Sequence, residues 1–231
     1  MSEVTLFHEL SPKSMPTVFD CFITQKIRDC HYFMVFSEEE FNKRESSFLN
    51  SLSEDELSSC KEEGFLHFRD PFAKRFEQLR RYSFLVMIHS LLEEYVVELC
   101  RGVKDEEETR KQKRRVSKWE GFDWGNSGST LDKVEKFFKN ELKVQFPNQT
   151  KEWKIIKDVN LIRNQLVHNG GGIGRSRNYK RVNKIVKKMN DIGIGNHNTI
   201  VLDKDFCFNY LRTVEYFLSN LYKNYSSPPD N

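Results

Sequence analysis

The chain has 231 residues, 31% of them charged, 38% hydrophobic and 13% aromatic, with 19 Phe and a formal net charge of only +3. So much core material excludes a disordered chain, and so small a charge excludes a molecule that grips nucleic acid over its whole surface. No stretch approaches the roughly 18 uninterrupted apolar residues of a membrane span, and MSEVTLFHELSPKS lacks a basic segment followed by an apolar one, so the expectation is a cytoplasmic protein with no membrane attachment.

After Pro16, the positions Val18, Cys21, Phe22, Ile23, Ile27, Cys30 and Met34 recur at three-and-four spacing and predict a buried helical stripe. Ser37 before Glu38 to Glu40 has the form of a capping box that starts a second, more polar helix, and Ser53 before Glu54 to Glu56 that of another. The strongest helical signal is DPFAKRFEQLRRYSFLVMIHSLLEEYVVELCRG, with Asp70 as cap, Pro71 at the first helical position and Gly102 as terminator. It is apolar nearly all round from Phe84 to Leu99, which requires burial on more than one side.

An acidic and then a basic run follow, and a loop with Trp119, Phe122 and Trp124, read as a hydrophobic lid. Leu131, Val134, Phe137, Phe138 and Leu142 predict an amphipathic helix stopped by Pro147. The next helix spans about Lys151 to His168 and stops at NGGG. Beyond it come a basic helix in YKRVNKIVKKMNDI, a turn and short extended piece in GIGNHNTIVL, and a last helix capped by Asp203. The local basic clusters are Arg110 to Arg115 and Arg175 to Lys188. Five widely spaced cysteines without a C-x-x-C pair read as reduced core thiols, and no metal or cofactor is expected.

The chemistry lies in RNQLVHNG, residues 163–170. At about 100° per residue, Ile155, Val159, Ile162 and Leu166 form a core seam, while Asn160, Asn164 and His168 fall on nearly the opposite side. Arg163 projects between them, about 140° around from His168, with Ile156 and Val167 beside it. An Arg supplies a permanently charged fork suited to phosphate, and a His can take and give a proton near neutral pH. The pair so far apart on one helix works best across a symmetric interface, where two copies bring both arginines and both histidines into one cleft. On composition alone the simpler account is a surface ion-pair donor and a cation favoured by the helix dipole. GGGIG at 170–174 reads as a helix terminator, since no strand precedes it and no Lys-Ser/Thr follows, and His89 reads as a core or interface histidine with a local hydrogen bond.

RNQLVHN resembles the Arg-Asn-x-x-x-His signature of HEPN domains, near the end of a long bundle helix, with LLEEY upstream and TIVLDKDF downstream in similar places. The resemblance spans roughly residues 70 to 222. It implies an antiparallel helical bundle of four to five core helices that pairs through the motif helix, and often a metal-independent endoribonuclease of toxin-antitoxin or anti-phage systems. Carried over by position, Arg163, Asn164 and His168 are the catalytic set, and Glu93 or Glu94 matches the helix acid that some members place near the cleft, the choice staying open. A non-catalytic interaction module in a defence or toxin-antitoxin complex is the alternative.

The expected architecture is thus all-α. A helical extension at 1–69 packs on a bundle at 70–225, a small hairpin lies near 190–202, and 226–231 form a disordered tail. The expected partners are RNA, a second copy docked through the 151–168 helix, and an antitoxin or defence protein.

Overall fold

A computed structural model describes residues 18–56, 58, 74–111, 128–140, 145–174 and 177–226. Asp70, Pro71, Trp119, Phe122, Trp124, Leu142, residues 112–115 and the tail beyond Ser226 lie outside them. The architecture is the expected helical bundle with one small antiparallel hairpin. Its elements are α1 (Val18–Asn50), α2 (Lys74–Lys111), α3 (Thr130–Asn140), α4 (Lys151–Asn169), α5 (Tyr179–Val186), β1 (Ile192–Ile194), β2 (Ile200–Leu202) and α6 (Lys204–Ser226).

Helix α2 is the axis of the bundle, in contact with α1, α3, α4, α6 and β2, while α6 also packs on α1 and α4. That centrality follows from its sequence. Phe84, Leu85, Ile88, Leu91, Leu92, Tyr95, Val96, Leu99 and Cys100 are all buried and span about half of the helix circumference. Trp153 stacks on Phe217 with centroids 5.1 Å apart and meets Phe146 edge to face at 4.9 Å.

Two predicted boundaries are corrected. No helix starts at Ser37, because α1 runs unbroken from Val18 to Asn50. The acidic turn mistaken for a cap lies against α2: Arg80 donates to the Ser37 carbonyl and pairs with Glu38 at 2.7 Å. The capping box at Ser53 does form, with Glu56 N donating to Ser53 Oγ at 3.3 Å and Ser53 N to Glu56 Oε2 at 3.0 Å. Nor does Gly102 end α2, which continues to Lys111. An internal Gly costs only about 1 kcal/mol, and the Lys, Glu and Arg residues that follow are good helix formers.

The hairpin pairs Ile192 with Leu202 and Ile194 with Ile200. It is clamped to α2 by Gln78, which accepts from Leu202 N at 2.8 Å and donates to Leu202 O at 3.0 Å. Buried Arg81 adds a bond to Leu202 O at 2.9 Å, and Tyr82 Oη donates to Ile200 O. The exit of α4 is tied to the same strand, since Ile200 N donates to Gly171 O and Ile173 N to Asn198 O, both at 3.0 Å. The last turn of α4 is therefore fixed to α2 through the hairpin.

Candidate active site

Thr150 starts α4, its Oγ1 accepting from Trp153 N at 3.2 Å. Gly170 ends it in the left-handed region at φ 55°, where a glycine pays no Cβ penalty. The buried seam of the helix is Trp153, Ile156, Val159, Ile162, Gln165 and Leu166. Relative to the wheel, Ile156 belongs to the core and Ile155 to its edge, a rotation of the seam toward Trp153, which is buried and stacks on Phe217.

That rotation carries Arg163 inward. Its Nη2 donates to Glu93 Oε2 on α2 at 3.3 Å and its Nη1 to Asn164 Oδ1 at 3.0 Å, with the guanidinium about a quarter exposed. Glu93, not Glu94, is thus the acid beside the motif; Glu94 is 58% exposed and pairs with Lys26 at 2.8 Å. Burial raises the Glu93 carboxyl above its ordinary range, and the Arg163 charge partly opposes that rise.

Behind Glu93 lies a polar chain that sequence reading reached only at one end. His89, fully buried one turn earlier on α2, sits with Nε2 3.9 Å from Glu93 Oε1, while its Nδ1 is 2.6 Å from Tyr210 Oη of α6. Burial, and secondarily the Arg163 charge, hold the imidazole down to about 4, with Asn160 pulling the other way. His89 is therefore neutral near pH 7. Its Nδ1 and the Tyr210 hydroxyl share one hydrogen bond, whose direction depends on which ring nitrogen carries the proton. Desolvation keeps the Tyr210 phenol well above its usual value, so it stays protonated. His89 carried the expected local hydrogen bond. Tyr210 gave no signal, because a Tyr on an apolar helix face looks like core, and only the packing of α6 on α2 reveals its partner.

His168 stands apart. It is exposed in the last turn of α4, next to Val167, which is 51% exposed. Arg163 and Asn164 are brought together within one chain, and no hydrogen bond joins either to His168 among the described residues. A concave depression lies elsewhere, over α3, lined by Asp132, Glu135, Lys136 and Lys139. Among the described residues no three His, Cys, Asp or Glu are grouped to hold a metal, and no helix is long and apolar enough to cross a membrane. No family model matches the chain, and comparisons with curated proteins and with solved structures return no significant match.

Proposed function

We propose that the chain is a metal-independent endoribonuclease of the HEPN type that works as a homodimer in a toxin-antitoxin or anti-phage system. The observation that carries this reading is the division along α4: Arg163 is held inward by Glu93 and Asn164, while His168 is exposed one and a half turns later beside an uncovered apolar Val167. One chain offers each group without the other in reach. A two-fold pairing of α4 helices supplies the complement.

In this reading His168 takes the proton of a ribose 2′-OH, and the freed oxygen bonds to the adjacent phosphorus. The bond from phosphorus to O5′ then breaks, and O5′ takes a proton from the dimer's second, protonated His168 or from water. The products are a 2′,3′-cyclic phosphate and a 5′-OH end. Arg163 balances charge on the phosphorane, and Asn164, accepting from Arg163, keeps its amide protons for a phosphate oxygen. The second reading, a non-catalytic module, is favoured by one fact: the Arg163 fork already has two partners within the chain.

The test is cleavage of total RNA in EDTA by wild type, Arg163→Ala and His168→Ala. Wild type is expected to cut, and each variant to lose about a hundredfold or more. A stable wild-type dimer that leaves RNA intact, or a His168→Ala chain that cuts as well as wild type, overturns the catalytic reading.

A further inference from the structure

Residues 175–190 hold seven Lys and Arg and no carboxylate, and subtracting those seven from the chain's +3 leaves all other residues at −4. With the run at Arg110 to Arg115, this segment is one of two local concentrations of positive charge in the sequence. Its structured part is α5, whose Val182, Ile185 and Val186 are buried and which packs on α4 and β1. The inward apolar face turns the cations outward. Lys180, Arg181 and Lys184 on α5, and Lys187 and Lys188 in the turn that follows it, are all exposed, and the three on the helix fall within an arc of about 100°. None of the five is joined to a carboxylate by an ion pair among the described residues.

We infer that the outward face of α5 is a docking surface for the sugar-phosphate backbone of single-stranded RNA, leading it toward the α4 end that carries His168. The inference rests on the ribonuclease reading for its choice of polyanion. Uncompensated cations in a row match a polyanion and release its counterions on binding. A bilayer fits less well, because Val182, Ile185 and Val186 of α5 are buried and leave Tyr179 alone on the helix to insert. Tyr179, exposed at the start of α5, adds a ring on which a base can stack. The surface recognises no sequence, since lysines on phosphates carry no base information.

The test is fluorescence anisotropy of a labelled oligouridylate of about 20 nucleotides in EDTA, with Lys180→Gln/Lys184→Gln/Lys187→Gln against wild type, both in a His168→Ala background so that the probe stays whole. Affinity is expected to fall about tenfold or more, and the slope of log affinity against log salt to flatten by about 2, roughly 0.7 for each lost phosphate contact. The matching triple Lys→Arg chain keeps the binding, because charge and not packing is at issue. Equal affinity and slope in the Gln and parent chains overturn the surface, as does lysine-dependent sedimentation with phosphatidylserine vesicles in the absence of RNA binding. The ribonuclease reading fails separately: a chain with His168 intact that binds through these lysines yet never cuts leaves the surface standing and removes the chemistry.

Discussion

His89 sits in an environment far from that of its unfolded counterpart, and the difference can be read as stability. An imidazole free in the unfolded chain titrates near 6.5, whereas burial and then Arg163 hold the folded one down to about 4. Between those values the unfolded state binds a proton that the folded state refuses. The contribution is therefore complete above about pH 6.5 and is lost as pH falls toward 4. At about 1.4 kcal/mol per pH unit the loss from pH 7 to 4.5 is about 2 kcal/mol. The opposing groups are present on both sides of the comparison: Glu93, raised by burial, gains stability on acidification, and Tyr210 keeps its proton throughout. In urea denaturation His89→Gln is expected to be less stable than wild type at about pH 7, with the gap narrowing by about 2 kcal/mol at about pH 4.5. A gap of equal size at both pH values would assign the acid sensitivity to some other group.

At the scale of elements, the exit of α4 couples backbone geometry to the candidate site. Gly170 and Gly171 both have positive φ, 55° and 85°, yet their surroundings differ. A Cβ at Gly170 meets nothing within 4 Å, while one at Gly171 comes 2.9 Å from Tyr82 Oη, the donor that pins β2 to α2. Gly170→Ala is expected to cost about 1 kcal/mol, the left-handed penalty alone. Gly171→Ala carries the same penalty plus the displacement of Tyr82, for about 2 kcal/mol or more. Urea midpoints for the two variants check the order, and equal losses would mean that the hairpin clamp contributes nothing.

The same elements show what was legible in the sequence. The stop at Asn169 and Gly170 was, because a glycine required at positive φ is a local property. So was the buried stripe Ile23, Ile27, Cys30 and Met34, since periodicity encodes a face. The continuity of α1 through Ser37 was not: Ser-Glu-Glu-Glu reads the same at a helix start and in a helix middle, and Arg80, 43 positions away, decides between them. The choice of Glu93 over Glu94 was equally hidden, because the rotation of α2 against α4 fixes it and neighbouring residues on one helix point about 100° apart. Arg163, Asn164 and His168 were visible as residue types at a spacing. That Arg163 turns inward while His168 does not depends on Glu93 of α2, 70 positions away, which a single helix does not reveal.

For the whole molecule, that divergence turns the oligomeric state into a question about the site itself. Arg163 and His168 leave α4 about 140° apart, and the inner partner of Arg163 is Glu93 of the same chain, so swinging the guanidinium to its own His168 would strand a half-buried carboxylate. A site composed of Arg163 from one chain and His168 from its twin asks for no such rearrangement. The distinction is measurable with two inactive chains. Arg163→Ala and His168→Ala, co-refolded in equal amounts, give heterodimers in half of the molecules, and each heterodimer holds one position where an intact Arg163 meets an intact His168. Cleavage is expected to return to about a quarter of the wild-type rate, from a starting point where neither variant alone cuts. If each site were built within one chain, every chain in the mixture would lack one member and no activity would return, although the dimers would form equally well by light scattering. Rescue therefore reports on the composition of the site rather than on association, and its absence from a mixture shown to contain heterodimers removes the shared cleft while leaving the single-chain chemistry open to the RNA assay.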